Sequence, residues 1–129
     1  MCVTVFGVAT IHISVPAQAD YVGLVRSTSA HVAAHCDLTM DQIEDLRLAV
    51  NEAFAFLVDE TSNDNIDITF TVDGSELAIV LQGPATSQEP DRSSFGWTVL
   101  TALVNEVSSS RNDAGNVVIR LTAKAGVSA

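Results

Sequence analysis

Two runs of alternating apolar and polar residues, "IDITFTV" (66–72) and "ELAIVLQ" (76–82), flank the turn "DGS". Period-two alternation sends every second side chain to the same side of a strand, and an Asp-Gly turn folds two such strands into a hairpin. A hairpin with one apolar side must bury it against another layer. The same alternation marks "IHISV" (11–15) and "VVIRLTA" (117–123) as strands, with an optional short strand near Ser108–Arg111.

Helical spacing supplies the covering layer. "PAQADYVGLVRSTSAHVAAHC" places Tyr21, Leu24, Val25 and Ala33 as an amphipathic helix ending near Cys36. A second helix begins at "LTMDQIEDL", with Thr39 as N-cap and Gln42 at the capping-box position, and polar "DETSNDN" (59–65) closes it. "FGWTVLTALVNEV" is expected to be a third helix, with Val99, Leu100, Leu103, Val104 and Val107 on one face. The order βααββα(β)β predicts an α+β two-layer sandwich, a mixed, mostly antiparallel sheet covered on one face by three helices. Its 129 residues fit a single domain, 1–129.

A net charge of −10, from 16 acidic and 6 basic residues, narrows the partners. Phosphate backbones are gripped by clustered Lys and Arg, so direct nucleic-acid binding is not expected, nor is an anionic membrane surface. No apolar run reaches bilayer-spanning length, and the opening "MCVTVFGVAT" lacks the basic segment of a signal peptide. Cys2 and Cys36 form neither a disulfide framework nor a zinc pattern, which suggests a cytoplasmic protein. His12, His31 and His35 show no metal pattern either, so no metal site is expected.

The second helix carries a carboxylate in an apolar run, "LRLAVNEAFAFLV" (46–58). On a helical wheel Ile43, Leu46, Val50, Ala53, Phe54 and Leu57 form the core stripe. Glu52 lies opposite, among Leu48, Ala55 and Phe56, so this second side is also largely apolar and is expected to be covered in its turn. Spacing alone leaves Glu52 either at a solvated edge or in a functional cleft.

"LTMDQIEDLRLAVNEA" followed by "SSFGWTVLTALVNEV" resembles the anti-sigma-factor serine kinases, in wording closest to their actinobacterial branch. That family belongs to the Bergerat-fold ATPases shared by gyrase and sensor histidine kinases. The likeness covers Ile11 to Glu60 and Ser93 to Ala123. It implies a Glu-Ala-x-x-Asn box in the second helix, whose Glu is the general base and whose Asn holds the magnesium of ATP. Here Glu52 and Ala53 are kept, but Phe56 stands at the Asn position, and a phenyl ring cannot ligate magnesium. An Asp-x-Gly motif should accept the adenine amino proton. Gly83 is kept, but Leu81 stands at the Asp position, in strand parity with Leu77 and Ile79. A Gly-x-Gly should open the last helix and hold phosphate on bare N–H groups; here it is Ser94-Phe95-Gly96. The intervening lid, "ATSQEPDRS", is short.

The resemblance further implies that Arg26 grips acidic groups on a sigma factor and on an anti-anti-sigma factor, a contact suited to a guanidinium fork. The expectation is an anti-sigma factor with a degenerate nucleotide site and no cofactor. It would sequester a stress or developmental sigma factor and work as a homodimer built through the N-terminal strand and first helix. One alternative is an active serine kinase using Mg-ATP, with Glu52 as base and Gly83 and Gly96 lining the pocket. Another is an interaction domain of the same fold with an unrelated partner.

Overall fold

The computed structural model describes residues 8–126. The chain runs β1 (Ala9–Pro16), α1 (Val22–Ala33), α2 (Met40–Leu57), β2 (Asn65–Asp73), β3 (Glu76–Gln82), α3 (Phe95–Leu103), β4 (Glu106–Arg111) and β5 (Val117–Lys124), with a short 3-10 turn at Ala19–Tyr21. The strands form one sheet in the order β1-β2-β3-β5-β4. Every pairing among the described residues is antiparallel, so the expected mixed sheet is corrected there to an antiparallel one. The expected hairpin closes at Asp73↔Glu76, where Gly74 takes φ 63°. The optional strand exists and begins at Glu106.

Register explains the core. Ile68, Leu81 and Ile119 lie abreast in one row across the sheet; Phe70, Ile79 and Leu121 form the next, and Val72, Leu77 and Ala123 a third. All nine are buried, because the helical layer covers this face. The opposite face carries Thr69, Thr71, Gln82, Arg120 and Ser108, the polar half of the alternation.

Local chemistry starts the long helix as expected. The Thr39 hydroxyl accepts from the Gln42 N–H (3.1 Å), and the Gln42 side chain accepts from the Thr39 N–H (2.9 Å), a complete capping box. Leu46, Val50, Ala53, Phe54 and Leu57 are buried, joined by Ala49, and Ile43 packs against them. On α1 the buried residues are Val25, Ser29, Val32 and Ala33; Leu24 faces solvent, contrary to the expected stripe.

The third helix is shorter than its apolar spacing implies. It stops at Leu103; Val104 is extended (φ −131°, ψ 164°), and Val107 belongs to β4. The Asn105 N–H donates to Thr122 O, and its side-chain oxygen accepts from the Lys124 N–H. Pairing with β5 therefore takes over the chain that helical spacing alone would have continued.

Candidate functional site

The marked residues of α2 and α3 meet where the N-terminus of α3 lands on the second side of α2. Gly96 makes this approach possible. A Cβ there would stand 3.1 Å from Phe56 Cζ and 3.5 Å from Glu52 Oε2. The half-buried Phe56 ring thus lies directly against the α3 backbone. Glu52 sits half-buried beside it, and among the described residues no hydrogen bond or ion pair reaches its carboxylate. Among the described residues, the second side of α2 is covered mainly here. Leu48 stays 56% exposed and Ala55 is exposed, which corrects the expectation of full cover.

Three other marked residues have structural partners. Ser94 is the N-cap of α3, its hydroxyl accepting from the Trp97 N–H at 3.2 Å. Leu81 lies in the central row of the core and is fully buried. Gly83 is pressed under the end of α2, where a Cβ would come within 2.9 Å of both Cβ and Cδ2 of Leu57. Its N–H donates to Val117 O and its carbonyl accepts from the Asn116 side chain (2.8 Å). Arg26 stands apart from this group, half-buried on α1.

The segment between β3 and α3 is fastened down by residues that the motifs do not mark. The Ser87 hydroxyl donates to Leu57 O (2.9 Å) and the Thr86 hydroxyl to Asp59 (2.5 Å). Arg111 donates to the carbonyls of Ala85, Ser87 and Gly115. Arg92 reaches Ser109 O and lies 5.4 Å from the Trp97 ring centroid. Hydrogen bonds from the Thr61 hydroxyl, the Thr86 hydroxyl and the Thr61 N–H hold the Asp59 carboxyl below the usual carboxylate range. Ser93 does the same for Asp91. An Asp-x-Thr pattern at 59–61 was a readable local signal for part of this; the long-range partners had none.

His31 and His35 sit in T-shaped contact, 5.3 Å between ring centroids, over a groove they share with Ala9 and Ile11 of β1. Cys36 is buried, whereas Cys2 and residues 5–7 of the apolar N-terminal segment lie outside the described residues. Among the described residues no helix is long and apolar enough to cross a membrane.

The family model described as "Histidine kinase-like ATPase domain" matches residues 15–122. The serine-protein kinase RsbW of Bacillus subtilis is 36% identical over 86 residues, 64% of this chain and 54% of that protein. This chain therefore spans about half the length of that relative. The anti-sigma-F factor RsbW of Mycobacterium tuberculosis is 30% identical over 131 residues, 95% of this chain and 77% of that protein. A crystal structure of RsbU and RsbW domains from Mycobacterium tuberculosis shares the fold, with TM-score 0.69 at 21% identity over 90% of this chain and 32% of that one. The chain belongs to the histidine kinase-like ATPase domain family and, within it, to the RsbW-like proteins.

Proposed function

We propose that this chain holds an alternative sigma factor by direct protein contact, releases it to a competing anti-anti-sigma factor, and does so without nucleotide. The observation that carries this is the Phe56–Gly96 contact. A magnesium ion and the phosphates it bridges would need an oxygen ligand on α2 and open N–H groups at the start of α3. The residues present do not fit that group. An apolar ring takes the ligand position, and the Ser94 hydroxyl already uses the Trp97 N–H. Leu81 offers no acceptor to an adenine amino group and belongs to the sheet core. Fastening of the 84–94 segment by Arg111, Ser87 and Thr86 fits a lid that has no ligand to close over.

One observation favours the kinase alternative. Glu52 keeps the general-base position, half-buried and with no hydrogen bond or ion pair to its carboxylate among the described residues, and the Bacillus relatives are named serine-protein kinases. Without a metal ligand beside it, that carboxylate has no bound triphosphate to act on.

Partner holding is assigned to Arg26. Carboxylates are repelled by most of a surface with 16 acidic residues and are accepted only beside a cation. The same reading takes the protein as a cytoplasmic homodimer, joined through β1 and α1 with the sigma surface across both protomers. An edge strand with exposed Ile11 supports that pairing. The test is binding of purified sigma factors with and without Mg-ATP, beside transfer of phosphate to a serine of the antagonist. Nucleotide-independent binding and no transfer are expected. Arg26→Ala should cost about 2 kcal/mol of binding and Arg26→Lys should recover part of it. Phosphate transfer would overturn the proposal, as would a folded Arg26→Ala variant that binds like the wild type.

A further inference from the structure

One side of the α1–α2 helix pair carries two cations with polar atoms left unused. The start of α1 and the second half of α2 share a pocket of 310 Å³, lined by Ala19, Val22, Asn51, Phe54, Ala55 and Val58. Val22 at the beginning of α1 therefore faces residues near the end of α2, and the two helices run antiparallel. Arg26 is one turn along from Val22, and Arg47 one turn back from Asn51, so both lie about 6 Å from the pocket in the same direction. In each of them the Nε is buried without a hydrogen-bond partner among the described residues. A buried donor left unpaired costs free energy until an acceptor reaches its group. Arg92, Arg111 and Lys124 differ, since backbone carbonyls or Glu106 already satisfy them.

Arg26 has no hydrogen bond or ion pair among the described residues. Arg47 has one: its Nη1 donates to Glu44 Oε1 at 3.0 Å, an exposed pair three residues apart on the same helix. Exposed pairs of this kind contribute little and exchange readily for a better acceptor. Glu44 thus occupies Arg47 in the free protein much as a partner's carboxylate would in a complex.

We infer that Arg47 is a second carboxylate-binding residue beside Arg26, that Glu44 competes for it, and that the adjoining pocket receives an aliphatic side chain of the same bound segment. The occupant is a segment of the sigma factor that presents an acidic side chain about one helical turn from an aliphatic one. Such a segment offers a carboxylate to the Nη atoms of Arg26 and replaces Glu44 at those of Arg47, and it fills a pocket whose walls are mostly apolar side chains. The inference rests on the partner-holding reading and adds to it a residue, a competitor and a shape requirement.

The experiment measures affinity for a panel of purified alternative sigma factors by biolayer interferometry, with circular dichroism on every variant. Glu44→Gln should tighten binding about two- to five-fold, the effect of removing an exposed competitor. Arg47→Ala should weaken binding roughly ten-fold or more and abolish the gain from Glu44→Gln in the double variant. Ala55→Phe, at an exposed position, should fill the pocket and weaken binding while the helix stays folded. If Arg26→Ala destroys binding but Arg47→Ala and Glu44→Gln leave it unchanged, the inference is wrong and the partner-holding reading survives. Weaker binding in Glu44→Gln would likewise overturn the competition, and wild-type affinity in Ala55→Phe would overturn the role of the pocket. Should Arg26→Ala and Arg47→Ala both bind normally, the partner-holding reading itself falls.

Discussion

Replacing Gly96 with Ala probes the junction of α2 and α3 directly. The new methyl would stand 3.1 Å from Phe56 Cζ, closer than carbon atoms settle without movement, and 3.5 Å from Glu52 Oε2, an ordinary contact. Gly96 is not among the positive-φ glycines, so Ala suits its backbone. Two effects then compete. Restricting the unfolded chain contributes about 0.4–1 kcal/mol in favour of Ala. Crowding the half-buried ring costs about 1–3 kcal/mol, because α2 fixes its base and α3 meets its tip. The net expectation is a destabilisation of about 1 kcal/mol. Phe56→Ala alone should cost about 1–2 kcal/mol, below the range for a fully buried Phe.

The informative quantity is the double variant. With the ring removed, the crowding vanishes and Gly96→Ala should become stabilising by about 0.4–1 kcal/mol. The change of sign amounts to a coupling of about 1–3 kcal/mol. Urea unfolding followed by fluorescence of the one tryptophan, buried Trp97, measures all four proteins. An unchanged slope with denaturant would show that only stability has moved. Additivity within about 0.5 kcal/mol would mean that Phe56 does not fill this junction.

Gly83→Ala should destabilise by about 1–3 kcal/mol, since its Cβ would lie 2.9 Å from two carbons of fully buried Leu57, and thermal unfolding would register the loss. The lid segment should loosen in acid. The lowered pKa of Asp59 means its contribution is fully present above the ordinary value of 3.8 and is lost as pH falls through the folded value. Limited proteolysis between residues 84 and 94 should therefore quicken as pH drops below that point, and Thr86→Val should produce part of the same change at neutral pH. A cleavage rate independent of both would show that Asp59 does not hold the lid.

Legibility in the sequence followed the range of the interactions. The β2–β3 hairpin and the Thr39–Gln42 capping box depend on residues a few positions apart, and both form as expected. Leu81 was also readable, because strand parity with Leu77 and Ile79 sends it into the same buried face. The end of α3 was not, because Val104 turns extended and Asn105 bonds to Thr122 and Lys124 of β5, contacts outside the helical spacing. Leu48 misled for a related reason. Its place on the wheel suggests cover, but α3 is short and lands further along α2, at Glu52 and Phe56. Arg111 illustrates the remainder of the site: three carbonyls converge on it from the lid and the β4–β5 turn, and no local pattern announces that.

Isothermal titration of the protein with Mg-ATP tests the central claim most directly. With Phe56 against Gly96, Leu81 in the core and Ser94 committed to its cap, no saturable heat is expected up to about millimolar nucleotide, a range in which each ten-fold of affinity represents 1.4 kcal/mol. A saturable site of micromolar affinity would contradict the account, return Glu52 to the role of general base and make the kinase reading the stronger one.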